Sequence, residues 1–124
     1  MAYAVAEGMK DGGASAELYT AGSFSTELAD SYEAIAFGCP AMGAEELEPS
    51  EFEPLFAACE SHLAGKRIGL FGSYGWGDGE WMRNWSERCT LVGADLLSGY
   101  VICCGEPDGA AITSCKELGR SLAE

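Results

Sequence analysis

The chain predicts an α/β fold: one domain, residues 1–124, in which helices cover both faces of a parallel sheet. Three observations carry this expectation. The apolar runs Tyr32 to Gly38 and Arg67 to Phe71 are short and nearly continuous, as strands buried on both faces are. Helical patterns alternate with them, and strand–helix alternation builds parallel sheets. The length of 124 residues suits a single domain, and 48% hydrophobic residues suffice for one core.

Taken in order, Met1 to Asp11 predicts a helix, with Ala2, Val5 and Met9 near one face and Gly12-Gly13 as its stop. Ala14 to Thr20 predicts a short strand, with Ala14, Ala16 and Leu18 alternating against polar neighbours and Tyr19. Ala21 to Asp30 reads as a polar connector, and Tyr32 to Gly38 as the first fully buried strand. Ser50-x-x-Glu53 has the form of a capping box, opening a helix to about Leu63 with Pro54 in its first turn. Arg67 to Phe71 follows as a strand. Asp78 or Gly79 starts a helix that Gly93 ends after Val92. Ala94 to Cys104 is the last strand, long enough for a bulge near Ser98-Gly99. Asp108 caps a final helix whose inner face is Ile112, Cys115, Leu118 or Gly119, and Leu122.

Composition removes several function classes. Seven basic against twenty acidic residues give a formal charge of -13. That excludes phosphate backbones and anionic membrane surfaces as main partners, because both need a basic face. No apolar run reaches the roughly 18–20 residues of a membrane span, and no secretory signal is visible. The six cysteines (Cys39, Cys59, Cys89, Cys103, Cys104 and Cys115) form no C-x-x-C pair. They read as reduced, mostly buried thiols of a cytoplasmic protein. His62, the only histidine, lies near a helix end. No Ser-His-Asp set, metal-ligand cluster or phosphate-loop lysine is present, which argues against a hydrolase or a kinase.

Ligands in such folds sit at the carboxyl ends of the strands. Two loops fall there. In Gly72-Ser73-Tyr74-Gly75-Trp76-Gly77-Asp78-Gly79, four glycines surround a tryptophan. Glycine lets backbone approach a ligand closely and take up positive φ. Trp76 has two readings: a lid folded onto the core, or a stacking wall for a planar ring. In the other loop, Met42 precedes Gly43, which suits a turn with positive φ, and Glu45 can accept a hydrogen bond. Met42 is equally open to a core-filling role.

Together these segments resemble the short-chain, clostridial-type bacterial flavodoxins. The pieces that carry the resemblance are Gly38-Cys39-Pro40-Ala41-Met42-Gly43, Glu51-Phe52-Glu53-Pro54, Gly65 to Met82 with Ser73–Met82 the most specific, and Glu106-Pro107-Asp108. The resemblance implies a flavodoxin-like three-layer α/β/α sandwich, noncovalent FMN, and one-electron transfer at low potential between redox proteins, without enzymatic activity. It implies that Trp76 stacks on one face of the ring system and Met42 covers the other. The Gly43 carbonyl would meet flavin N5–H, and Glu45 would hold N3. Backbone of Tyr74, Gly75 and Gly77 would face the pyrimidine edge, with Ser73 and Asp78 completing the loop. Ala44 departs from relatives, which often carry a polar residue or glycine there; a type II′ turn needs positive φ only at Gly43, so Ala44 is compatible.

The resemblance also implies a first central strand and a phosphate-wrapping loop ahead of the first helix, between the Ala14–Thr20 and Tyr32–Gly38 strands. The chain given starts inside that helix. Three accounts are open: a start assigned too late, a truncated relative, or a form that has lost tight FMN binding and acts as an acidic protein-interaction module. Strand edges left exposed would favour self-association. Between Lys10 and Lys66 there are eleven acidic residues and no lysine or arginine. That face is either a solubilising surface or a docking patch for basic redox partners.

Overall fold

A computed structural model describes residues 1–41, 46–75, 77–96 and 99–123. The order of elements is α1 (Ala2–Asp11), a 3-10 turn (Ala21–Ser23), α2 (Thr26–Ser31), β1 (Ala34–Gly38), α3 (Phe52–Glu60), β2 (Arg67–Tyr74), α4 (Glu80–Leu91), β3 (Tyr100–Cys104) and α5 (Gly109–Leu122). The described strands form one parallel sheet in the order β1-β2-β3. Its register pairs Ile35 with Ile68 and Phe37 with Leu70, then Phe71 with Val101 and Ser73 with Cys103. No described helix is long and apolar enough to cross a membrane.

Side chains alternate across each strand and so feed two cores. Ile35, Phe37, Ile68 and Leu70 point into the larger one, where Phe56 and Cys59 of α3 meet Trp81, Met82, Trp85 and Cys89 of α4. Ala34, Ala36, Phe71 and Val101 pack on the other face against Val5 of α1 and Cys115, Leu118 and Leu122 of α5. The three-layer sandwich follows. In the larger core the aromatic rings meet edge to face, as ring quadrupoles favour: Phe37 lies 5.2 Å from Phe56, and Phe56 lies 5.6 Å from Trp85.

Most elements match their sequence signals. The Asp108 carboxylate accepts from the Ala111 N–H at 2.8 Å and starts α5. Gly79 (φ 90°) precedes α4 and Gly93 (φ 86°) follows it, both in the left-handed region that favours glycine. Four expectations are corrected. Ala14–Thr20 is not a strand. No described strand lies beside it to complete its ladder, and Tyr19 is held instead by its hydroxyl against that of Tyr32 (2.8 Å) and by ring contact with Phe24. The Ala21–Asp30 connector holds the 3-10 turn and most of α2, which Ser25 caps by accepting from the Leu28 N–H. The last strand is shorter than expected. Asp95 makes only an isolated bridge to Arg67, Gly99 turns at φ 76°, and β3 begins at Tyr100; Ser98 lies outside the described residues.

The Ser50-x-x-Glu53 box is the fourth correction. Glu48 takes its place: its carboxylate accepts from the Ser50 N–H (2.7 Å), the Ser50 hydroxyl (2.6 Å), and the N–H groups of Glu51 (2.8 Å) and Phe52 (3.2 Å). An ionised acceptor makes stronger bonds to helix-start amides than a neutral hydroxyl, so the serine becomes a donor and the box is pre-empted. Glu53 is drawn away to Arg88.

Two glycines set the distance between α1 and α5. A Cβ on Gly8 would collide with the Lys116 carbonyl, and one on Gly119 with the Val5 carbonyl. Both obstacles are backbone, so the helices must separate to admit a side chain. Gly119→Val should lower stability by roughly 1–3 kcal/mol, the usual cost of overpacking, read as a lower urea midpoint at unchanged slope.

Candidate functional site

Three loops leave the carboxyl edge of the sheet, and main-chain bonds tie their bases together. The Cys39 N–H donates to the Phe71 carbonyl at 3.1 Å, and the Ala41 N–H to the Ser73 carbonyl at 3.0 Å. On the other side of β2, the Gly105 N–H donates to the Tyr74 carbonyl at 2.8 Å. The parallel ladder thus continues past the ends of the strands. Gly72 makes this approach possible, because a Cβ there would strike the Cys39 carbonyl. Trp81 braces the same carbonyl by donating its Nε1–H at 3.3 Å.

Of the expected site residues, Ser73, Tyr74, Gly75, Gly77 and Asp78 stand together at the end of β2 and on the loop beyond. Ser73 and Tyr74 are half-buried, whereas Gly75, Gly77 and Asp78 are exposed. Gly77 has φ 86°, in the left-handed region that favours glycine, and the position of a Cβ on Gly75 is free of neighbours within 4 Å. Tyr74 turns its ring onto Trp81, centroids 5.5 Å apart, and its carbonyl is taken by Gly105. Asp78 is held from the side by Arg83, which donates to its carbonyl (3.0 Å) and its carboxylate (3.1 Å). Met42, Gly43, Ala44, Glu45 and Trp76 lie outside the described residues. The bond from Ala41 to Ser73 brings the bases of their two loops side by side.

The acidic stretch between Lys10 and Lys66 is partly consumed by structure. Glu48 is the α3 cap just described. Its bonds, those from Ser50 first, hold its pKa down to about 2 from an ordinary 4.5. Arg88 of α4 reaches across to α3, pairing with Glu53 (2.9 Å) and Glu60 (3.0 Å) and lying 4.9 Å above the Phe56 ring. Hydrogen bonds donated to the two carboxylates, Glu60 first, raise the guanidinium pKa above its ordinary range despite partial burial. Sequence reading missed this clamp, although the i, i+3, i+7 spacing of Glu53, Phe56 and Glu60 puts all three on one helix face. Glu46 and Glu51 remain exposed. The thiols are free; burial pushes Cys89 up to about 12 and also raises Cys39, Cys59 and Cys115, leaving them poor nucleophiles. Among the described residues no group of His, Cys, Asp and Glu side chains is placed to hold a metal.

A family model described as flavodoxin matches residues 1–119. The chain belongs to the flavodoxin family. It is 43% identical over 124 residues to a flavodoxin of Megasphaera elsdenii, covering 100% of this chain and 88% of that one. It is 37% identical over 123 residues to a flavodoxin of Clostridium beijerinckii, again covering 88% of the relative. The solution structure of two-electron reduced Megasphaera elsdenii flavodoxin matches with a TM-score of 0.90, over 98% of this chain and 87% of that chain. A flavodoxin from the domain Archaea gives 0.84 at 19% identity, over 98% of this chain and 85% of that one; at that identity it shows the fold alone. Flavodoxins are FMN-binding electron carriers rather than enzymes, and matches spanning the whole chain place this one among them. They do not favour a cofactor-free interaction module.

The Glu48 cap has a pH signature. Its folded pKa is depressed, so the stability it contributes is complete above about 4.5 and lost as pH falls towards 2. Glu48→Gln should lower the thermal midpoint at pH 7 and flatten the acid limb of the stability curve in that window, as followed by circular dichroism.

Proposed function

We propose that the flavin ring of FMN seats between the loops after β1 and β2, with Met42 over one face and Trp76 over the other. Gly43, Ala44 and Glu45 contribute on the first loop, and Ser73, Tyr74, Gly75, Gly77 and Asp78 on the second. When bound, FMN supplies reversible one-electron transfer. The observation that carries this reading is the Ala41–Ser73 bond, which holds the two loops one ladder step apart.

The described residues fit the ring end of the cofactor. A flavin pyrimidine edge needs hydrogen-bond donors and acceptors without bulk. Exposed backbone at Gly75 and Gly77 offers both, with open space where a Gly75 Cβ would stand. The Ser73 and Tyr74 carbonyls are already paired and act as fixed struts. Exposed Pro40, Gly75 and Gly77 leave the loops near solvent, as electron exchange with another protein requires. Carboxylates near the loops disfavour added negative charge on the ring, which lowers the potential. They also steer encounter with redox proteins that present basic docking surfaces. Six free thiols, four of them buried, suit a cytoplasmic setting.

Trp76→Ala tests the ring seat. Loss of an aromatic stacking partner is worth about 1–3 kcal/mol, so affinity should fall roughly 5- to 150-fold, with the circular dichroism of the fold unchanged. The docking role predicts that partner reduction slows as ionic strength rises; a rate indifferent to salt would argue for a merely solubilising surface.

A further inference from the structure

Independently of the flavin reading, we propose that the recess between α3 and α4 binds a small uncharged carboxamide carried on a single ring. The recess has a volume of about 260 Å³. The chain just ahead of α3 forms one wall and α4 the other.

Trp85 determines what the recess lacks. Its indole lines the recess and is 1% exposed, and its buried Nε1–H has no hydrogen-bond partner among the described residues. Trp81, one turn earlier on α4 and also in the wall, donates its own Nε1–H to the Cys39 carbonyl. A buried donor without an acceptor costs stability that a ligand's acceptor recovers. Trp85 cannot turn to find one, because Phe52 and Phe56 hold it edge to face at 5.4 Å and 5.6 Å. Those rings carry no oxygen or nitrogen, which leaves the recess as the side from which an acceptor arrives.

The charges of the wall select the ligand class. Arg88 is the cation there, and it is already bonded to Glu53 and Glu60. With exposed Glu46 the wall is left net negative, which repels an anion. An ammonium or guanidinium group carries only donors and leaves the indole unpaired. A carboxamide is uncharged, accepts through its oxygen and donates through its nitrogen. Its oxygen suits Trp85, and its N–H groups suit Glu46 and the amide oxygen of Asn84. Leu47 and Pro49 add apolar surface for a ring. A cavity of about 150 Å³ holds benzene, so this recess admits one ring with its amide.

The test is NMR of the full 124-residue chain titrated with benzamide, with FMN present and absent. Saturable binding is expected, with a dissociation constant on the order of 1 mM. The Trp85 indole N–H signal should move more than those of Trp76 and Trp81, which separates this recess from the flavin seat. Benzoate has the same ring but a negative charge, and should bind at least about tenfold more weakly. Trp85→Phe keeps a ring and removes the donor. It should weaken benzamide roughly 2- to 10-fold, read at the side-chain amide of Asn84, and leave toluene, which has no acceptor, unaffected. An unmoved Trp85 signal up to the solubility limit of benzamide would overturn the proposal. So would equal binding of benzoate, equal binding of benzamide to Trp85→Phe, or an equal loss for toluene. Magnetisation transfer from a bound water to the Trp85 Nε1–H that benzamide leaves in place would also overturn it, since water alone would then satisfy the donor.

Discussion

Main-chain hydrogen bonds that outrun the strands govern this structure. Beyond Gly38 the chain leaves regular strand geometry, yet Cys39 and Ala41 still donate to Phe71 and Ser73, and Tyr74 still accepts from Gly105. The loops at the carboxyl edge therefore start one ladder spacing apart, about 4.8 Å. Backbone rather than side chain sets that spacing. Side-chain bulk has only to be absent where backbones meet, which is the role of Gly72 against Cys39.

The negative charge of the chain is unevenly spent. Glu48 closes the start of α3, and Glu53 and Glu60 share Arg88, which also lies over Phe56 and joins α3 to α4. These carboxylates belong to the scaffold that carries the site. Glu46 and Glu51 remain exposed. A count of acidic residues overstates the field that the chain projects, because charged groups paired within the fold are partly neutralised by their partners.

The two faces of the sheet are covered by different means. On one, interlocking aromatic rings of α3, α4 and β1 fill the core. On the other, α1 and α5 approach closely through Gly8 and Gly119. That second contact anchors α1 although no described strand joins it to β1. A cleft lies along β1 between Val5 and Met9 on one side and Phe24 on the other.

Sequence pattern alone decided the fold class, the buried strands, the four longer helices and the Asp108 cap, because each depends on local periodicity or on residue placement. The motif around Gly72–Met82 was also sufficient to suggest the family. Tertiary structure decided what depends on a neighbour. Ala14–Thr20 has a strand's pattern but is not one, since strand character requires a partner for its backbone. Ser50 and Glu53 have a capping box's spacing, but a carboxylate three-dimensionally closer to the helix start outcompetes the hydroxyl. The Arg88 clamp joins residues 28 and 35 positions apart and leaves no local signal. Short-range preferences are written into the chain, whereas pairing between distant segments is settled only when the competing partners occupy the same space.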